Sequence, residues 1–274
     1  MSQLIQIKEK IKAIESIKKI THAMRLISMS AHSQLKDSYE PFALYASEIE
    51  QLFSALSTKP IKSTQVKNKI LIIFISSQKG LCGNFNTTLF STFKKESLNF
   101  TRADYITIGK KAYEFISKIS PNSILHNIPN LTIRNQGELS EEIIKIIQER
   151  FNNYDSIISF SNKFENFFTQ KPTKSQIIPS QIESAHSIKK SSYLQAHSQE
   201  NLNNHLTNFY LSSKIQALLL QSLFAEHAAR FVSMDLATNN AKNMLDEMQL
   251  KYNKLRQTKI TRELTELTAS NLNR

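Results

Sequence analysis

The residues best suited by type to do chemistry surround the only cysteine, in the run Gly80-Leu81-Cys82-Gly83. The run follows an apolar stretch and precedes a predicted helix, as phosphate-binding loops do. It lacks the Gly-Lys-Ser/Thr ending of such loops and the third glycine of the dinucleotide fingerprint. A thiolate near a helix N-terminus would have a lowered pKa, but no histidine lies in a recognisable partner motif. We favour a tight turn over a catalytic cysteine.

Other patterns for catalysis or metal binding are missing from the sequence. The seven histidines include no pair with His-Glu-x-x-His or another ligand spacing. A single cysteine excludes an internal disulfide and a multi-cysteine zinc site. The carboxylates are scattered, so no paired acid and base can be nominated. We therefore predict no catalytic residue, no cofactor and no metal.

The net charge of +12 raises the alternative of a nucleic-acid-binding protein. Lysines and arginines are spread along the chain rather than concentrated on one face with stacking aromatic residues. A basic surface also suits acidic protein partners or the neighbourhood of an anionic membrane. We predict no nucleic acid as a partner and keep a basic coiled-coil nucleic-acid binder as the alternative function.

The tail of the chain predicts one long helix. No glycine or proline follows Pro179, and apolar residues recur at alternating spacings of four and three, the seam of a coiled coil. At ~1.5 Å per residue a helix from about Asn204 to Asn271 would be on the order of 100 Å long, so a partner helix must cover its seam. The seam is Leu220, Phe224, His227, Phe231, Met234, Thr238, Ala241, Leu245, Met248, Tyr252 and Leu255.

The start of the chain predicts a second long helix, with Pro41 expected to kink or end it. Two unpaired stripes at opposite ends bury each other most economically as an antiparallel pair. Segment 59–64, with Pro60, is a predicted linker. The stripe is Leu4, Ile7, Ile11, Ile14, Ile17, Ile20, Met24, Ile27 and Ala31, and its extra steps of three would locally overwind a supercoil.

The middle of the chain alternates strands with helices, which predicts an open α/β sheet. Residues 69–76 form an apolar β-branched run without alternation, typical of a strand that is covered on both faces. Segment 184–204 is a predicted polar loop. The domains are then 1–58, 66–182 and 204–274. Further predicted strands are 104–108, 131–133, 156–160 and 176–178, and predicted helices are 87–98, 110–118 and 138–152, with Gly109 a turn and Gly137 a break.

No apolar run reaches the roughly 18 residues that a membrane span needs. The first residues, Met1-Ser2-Gln3-Leu4-Ile5, lack the features of a secretory signal and of a transit peptide. We expect a bacterial-type cytoplasmic location, which the single cysteine also favours.

Four short motifs follow one another along the whole chain. Residues 19–24, Lys-Ile-Thr-His-Ala-Met, match K-I-T-x-A-M, and residues 80–86, Gly-Leu-Cys-Gly-Asn-Phe-Asn, match G-L-C-G-x-F-N. Residues 234–241 match M-x-x-A-T-x-N-A, and residues 256–264 match R-Q-x-x-I-T-x-E-L. In these four motifs the chain resembles the gamma subunit family of F-type ATP synthases. Two segments depart from the pattern. Residues 77–79, Ser-Gln-Lys, stand where S-D-R or S-D-K is usual, and residues 268–274 lack the small-residue finish.

The resemblance implies a fold and a function. The fold is a long antiparallel coiled coil of the N- and C-terminal helices with a central open α/β, Rossmann-like domain. The function is that of a non-catalytic rotor shaft, which couples proton-driven rotation of the membrane c-ring to conformational changes in catalytic beta subunits. The implied partners are the alpha and beta subunits of the ring, the epsilon subunit and the c-ring. The location is the cytoplasmic side of the bacterial inner membrane, peripheral and reached through the complex.

By their positions in the motifs, ten residues are expected to face each other or the ring. Arg256 and Gln257 lie where the seam through Leu255 ends, and an arginine can make charge-assisted hydrogen bonds there. For Ile20, Met24 and Met234 the alternative is that they only hold the coiled coil together. A cysteine-dependent α/β enzyme with helical arms is a third hypothesis. The ten residues are Ile20, Thr21, Met24, Arg25, Met234, Asn240, Arg256, Gln257, Thr261 and Glu263.

Overall fold

The structure, a computed structural model, describes residues 2–56, 69–98, 100, 102–150, 153–178 and 199–272. The chain divides into two compact units. One combines Met1–Ser28 with Phe231–Arg274 and is called the coiled-coil unit below; the other, Met29–Arg230, is called the sheet unit.

In the described residues of the sheet unit, five strands form a sheet in the order β3-β2-β1-β4-β5. The first four strands run parallel, and β5 runs antiparallel to β4. The central strand β1 is buried from Leu71 to Ile75, as its unbroken apolar run predicts. The strands are β1 Ile70–Ile75, β2 Ala103–Ile108, β3 Ile124–Ile128, β4 Ser156–Asn166 and β5 Thr169–Ile178.

Helices cover both faces of the sheet. The described helices are α1 Ser2–Leu56, α2 Phe85–Ser97, α3 Lys110–Ile119, α4 Gln136–Arg150 and α5 Gln199–Leu272, with a 3-10 turn at Pro121–Ser123. On one face, α2 and α3 pack through an aromatic cluster that includes Phe74, Phe93 and Phe160. On the other face, α4 and the sheet-unit parts of α1 and α5 pack on residues such as Ile73 and Ile157.

Helices α1 and α5 run antiparallel in each unit. As the residue numbers increase along α1, the numbers of the α5 residues that they contact decrease. This confirms the predicted antiparallel pair. In the sheet unit the ring of Phe53 stacks on Tyr210 with centroids 4.6 Å apart, and His32 stacks on Phe224 at 4.0 Å. The predicted α5 seam is also confirmed, since every member from Leu220 to Leu255 is buried or half-buried.

The predicted stripe of α1 is wrong in its middle. Ile17, Ile20 and Ile27 are 52%, 59% and 67% exposed, whereas Thr21 and Ser28 are buried. Each step of three residues falls about 60° short of a full turn, so successive steps of three rotate around the helix away from the buried face. The buried or half-buried face keeps alternating threes and fours through polar side chains, at positions 4, 7, 11, 14, 18, 21, 25, 28, 32 and 35.

Pro41 lies inside α1 and does not end it. A proline in a helix leaves the carbonyl four residues earlier without its hydrogen bond. Pro41 and Asp37 are both exposed, so water can satisfy that carbonyl and the helix continues through the sheet unit.

Two predicted features between β2 and β4 are wrong. The third strand is Ile124–Ile128, not 131–133, because the backbone N–H of Thr132 donates to Asn135 Oδ1 at 2.8 Å and closes a turn there. Gly137 does not break the chain: it lies in the first turn of α4, where few backbone hydrogen bonds depend on it.

Elements at the edges of the middle region are longer than predicted. β4 and β5 form a hairpin of 11 and 10 residues, because their outer halves pair with each other and need less apolar sequence. Residues 199–204, predicted as loop, are helical and begin α5. The predicted linker 59–64 and the rest of the predicted loop, 184–198, lie outside the described residues. Within the described part of the chain no helix combines the length and the apolar character needed to cross a membrane.

Candidate functional site

The loop after β1 is a tight turn held by Asn86. Leu81 and Gly83 have positive φ angles, 64° and 59°, which turn the backbone into α2. The Nδ2 of Asn86 donates to Ser77 Oγ at 2.7 Å, and the backbone N–H of Ser77 donates to Asn86 Oδ1 at 3.2 Å. The interpretation of this run as a tight turn is therefore confirmed.

Cys82 is a packing residue in this loop. It is 2% exposed and clusters with Phe85, Ala225 and Ala229. Asn86 Nδ2 donates to its sulfur at 3.3 Å. Burial raises the pKa of the Cys82 thiol. The idea that the helix N-terminus lowers this pKa, as a reactive cysteine would need, is therefore wrong. Desolvation outweighs any effect of the helix N-terminus here.

A buried ion pair attaches α5 to the same loop. Arg230 donates to Glu226 Oε1, and its Nη2 also donates to the carbonyl of Lys79 at 3.2 Å. Glu226 and Arg230 are 8% and 7% exposed. Burial raises the pKa of Glu226, and the adjacent guanidinium opposes that rise. Sequence reasoning missed this pair; its only signal is an acid and a base four residues apart in an alanine-rich stretch.

The coiled-coil unit contains a polar layer made by two of the predicted residues. Thr238 Oγ1 donates to Thr21 Oγ1 at 3.0 Å, and Thr21 and Thr238 are buried. One turn away, Arg25 Nη1 donates to Asp235 Oδ1 at 2.6 Å. Thr21 and Arg25 thus face the other helix. Sequence reasoning missed Asp235 as the partner, although its spacing of three from Thr238 is a usable signal.

The other predicted residues of this region divide by exposure. Met234 is 3% exposed and lies in the α5 seam, and Met24 is half-buried beside the α1 face that runs through positions 21, 25 and 28. Ile20 is 59% exposed and Asn240 is exposed. The structure therefore leaves Ile20 and Asn240 accessible to a partner and places Met234 in the contact between α1 and α5.

The last four predicted residues lie on an exposed part of α5. Every side chain from Arg256 to Thr268 is exposed, whereas Leu255 is half-buried. Facing residues of the antiparallel helices have numbers that add to about 260, as the contacts of Arg25 with Asp235 and of Thr21 with Thr238 show. With that register Leu4 lies level with about residue 255, so α1 leaves the following turns of α5 uncovered. Gln257, Thr261 and Glu263 share this uncovered segment with Arg256.

The uncovered segment, residues 256–268, carries an apolar stripe that sequence reasoning missed. Ile260, Leu264 and Leu267 follow one another at spacings of four and three and are 48%, 57% and 61% exposed. Such spacing places them on one face of the helix. Their own spacing of four and three, which starts five residues after Leu255 and so is offset from the seam, was a signal that could have found them.

Charges on the uncovered segment are mostly paired within the helix. Arg262 Nε lies 2.8 Å from Glu266 Oε1, and Lys259 Nζ lies 3.4 Å from Glu263 Oε1. Arg256 has no ion pair or hydrogen bond among the described residues. Its guanidinium is therefore available to another molecule. In the described parts of the chain no group of three His, Cys, Asp or Glu residues could hold a metal ion.

Comparisons with known proteins agree over the whole chain. The profile of the ATP synthase family matches residues 3–271. The ATP synthase gamma chain of Rickettsia prowazekii is 31% identical over 98% of each chain. The gamma chain of Helicobacter pylori strain G27 is also 31% identical, again over 98% of each chain. None of these similarities supports the nucleic-acid-binding alternative.

Solved structures show the same fold. A chain of the Euglena gracilis mitochondrial ATP synthase, in a complex of OSCP, F1 and c-ring, has a TM-score of 0.74 at 16% identity, covering 97% of this chain and 93% of that one. A chain of the Tetrahymena thermophila central stalk and c-ring has a TM-score of 0.62 at 24% identity, covering 80% of this chain and 99% of that one. With its family profile and its relatives, the chain belongs to the ATP synthase gamma chain family.

Proposed function

We propose that the chain is the central rotor shaft of an F-type ATP synthase, coupling rotation of a c-ring to conformational changes in catalytic beta subunits. The observation that carries the proposal is the uncovered segment of α5, a helix end with an apolar stripe that no other part of the described chain covers. Exposed apolar residues in regular spacing indicate a surface that a partner buries. A ring of alpha and beta subunits around the segment would bury it.

The chain acts as a lever and performs no chemistry of its own. In open α/β sheets ligands bind beyond the carboxyl ends of the strands, where the strand order reverses, here beside β1. Here Cys82 and Phe85, which follow β1, pack against Ala225 and Ala229 of α5. This apolar packing beside the carboxyl end of β1 supports a non-catalytic subunit.

Rotation changes which face of the helix pair each beta subunit meets. The faces of α5 differ: one presents the apolar stripe with Arg256 beside it, whereas the opposite face presents the ion pair of Arg262 and Glu266. A ligand or partner shifts a conformational equilibrium only through its different affinity for the two states. Different faces presented in turn can therefore favour different nucleotide states of the ring. Two different helices supply this asymmetry.

The ten residues predicted from the motifs take two roles in this proposal. Thr21, Met24, Arg25 and Met234 hold the helix pair together, and the remaining six contact the ring. The epsilon subunit and the c-ring would contact the sheet unit, and membrane contact would occur through the complex on the cytoplasmic side of a bacterial inner membrane. The six ring-contacting residues are Ile20, Asn240, Arg256, Gln257, Thr261 and Glu263.

The test is Arg256→Ala and Gln257→Ala in the complete ATP synthase complex. A charge-assisted hydrogen bond contributes ~1.5–3 kcal/mol, so ATP hydrolysis and ATP-driven proton pumping should fall roughly tenfold to a hundredfold if the contact helps a beta subunit change state. The complex should still assemble, because neither side chain touches α1.

Lys242→Ala, another exposed position of α5, is the matched control and should keep both rates. Unchanged hydrolysis and pumping in both variants, with fully assembled complexes, would show that Arg256 and Gln257 do not act in coupling. A chain that fails to co-purify with alpha and beta subunits would overturn the shaft itself.

A further inference from the structure

The sheet unit contains an open cavity that the shaft function does not use. It lies between α1, α5 and the β4–β5 hairpin and has a volume of about 460 Å³. Pockets for small molecules in proteins have volumes of about 300–1,000 Å³. Its size alone therefore permits a ligand, and its lining indicates which kind.

One wall of the cavity is aromatic. Tyr39 and Phe42 of α1 and Tyr210 of α5 line it, together with small side chains such as Ala46. Tyr39 and Phe42 are half-buried, and Tyr210 is 3% exposed. Aromatic rings beside alanines form a flat apolar surface, which suits a planar apolar molecule.

The floor of the cavity is made of hydroxyl groups. On the same face of the hairpin, Ile157 and Ile177 are buried in the core, but the lining further along consists of Thr173 and Ser175. Ser213 of α5 is 5% exposed, and its Oγ has no hydrogen-bond partner among the described residues. An unsatisfied buried hydroxyl is unfavourable, and a bound acceptor would remove that penalty.

The charges around the cavity leave one cation free. Glu50 Oε1 is paired with Lys214 Nζ at 2.9 Å. Lys163, the third charged residue of the lining, has no ion pair or hydrogen bond among the described residues. The lining therefore carries a net charge of +1, which favours a ligand with a single negative charge.

We propose that this cavity is a binding site for a small aromatic monocarboxylate. The ring of the ligand lies against Tyr39, Phe42 and Tyr210. Its carboxylate accepts a hydrogen bond from the Ser213 hydroxyl and pairs with the Lys163 ammonium. The site lies entirely in the sheet unit and is independent of the uncovered segment of α5 and of its role in coupling.

The experiment measures binding of 2-naphthoate to the full chain by isothermal titration calorimetry, with 2-naphthamide as the uncharged analogue. The carboxylate should bind about tenfold tighter, because one charge-assisted hydrogen bond distinguishes the two compounds. Lys163→Met should abolish that difference and leave naphthamide binding unchanged. Lys118→Met, an exposed lysine of α3, should leave both affinities unchanged.

Filling the cavity tests the location of the site. Ala46→Phe should remove binding of both compounds, and Ala217→Leu is a second filling variant should the first fail to fold. Absence of saturable naphthoate binding at millimolar concentration would overturn the proposal. Equal affinities of carboxylate and amide, or binding that survives in a folded filling variant, would also overturn it.

Discussion

Buried histidines show how the surroundings of a residue decide its charge. His32 stacks on Phe224, and its Nδ1 donates to the Phe224 carbonyl at 3.3 Å. His227 lies near it on α5. Burial lowers the pKa of His32, and burial with the nearby Arg230 lowers the pKa of His227 to about 4. Both imidazoles are therefore neutral in the folded chain at neutral pH, and they serve packing.

This neutrality predicts loss of stability in acid. In the unfolded chain His227 becomes protonated below the ordinary histidine pKa of 6.5. In the folded chain it stays neutral until the pH falls to about 4. The free energy of unfolding should thus fall as the pH drops from 6.5 to 4. Denaturant unfolding of the isolated chain at pH 7 and pH 4.5 measures the change.

The substitution His227→Gln should reduce that acid-induced loss, by on the order of 1 kcal/mol. His205→Gln, at an exposed position of α5, is the control and should leave the loss unchanged. If His227→Gln and the unsubstituted chain lose the same stability between the two pH values, His227 is not the group that resists protonation.

At the scale of elements, the heptad of α1 is continuous although its residues are not all apolar. Between Ile14 and Leu35 the buried face passes through Lys18, Thr21 and Arg25. Polar groups inside a coiled coil reduce stability and favour the register in which they meet a partner. The ion pair of Arg25 with Asp235 therefore selects the register of the helix pair. The threonine hydroxyls add less, because each also has an acceptor in its own helix.

Exchange of the two charges tests that role of the ion pair. Arg25→Asp alone places two carboxylates together and should lower the free energy of unfolding by on the order of 1 kcal/mol, and Asp235→Arg alone should do the same with two cations. The double exchange should recover at least half of the combined loss. Denaturant unfolding of the four chains measures the coupling; strictly additive losses would mean that the pair does not interact.

At the scale of the whole molecule, the protection of α5 against hydrogen exchange should change at the point where α1 stops covering it. Its seam is buried or half-buried as far as Leu255, and every side chain from Arg256 to Thr268 is exposed. A helix without tertiary contacts opens readily, because packing rather than propensity stabilises most helices.

Hydrogen exchange of the isolated chain should therefore be fast from Arg256 to Thr268 and slower from Ala241 to Met248. Assembly with the alpha and beta subunits should slow exchange in the first segment, as binding stabilises the folded form. Mass spectrometry after labelling of both samples provides the measurement. Equal protection of 256–268 before and after assembly would contradict burial of this segment in the ring.

Much of the fold follows from the sequence because its helices and strands are set by the local spacing of apolar residues. The apolar run of β1 and the 4-3 seam of α5 each repeat a pattern that one secondary structure alone can bury. The glycine-rich turn before α2 follows from the backbone angles that its residues allow. The family motifs at both ends add the antiparallel pairing. For these features neighbours in sequence carry the information.

Tertiary structure decided what depends on partners far apart in the chain. The buried face of α1 passes through Thr21 and Ser28 rather than Ile20 and Ile27, because both hydroxyls find partners there. Thr238 of α5 donates to Thr21, and Ser28 donates to the Met24 carbonyl of its own helix. Cys82 is buried because Phe85 and two alanines of α5, more than 140 positions away, shield it from water. Composition cannot report such contacts, because burial and charge depend on which distant side chains a residue meets.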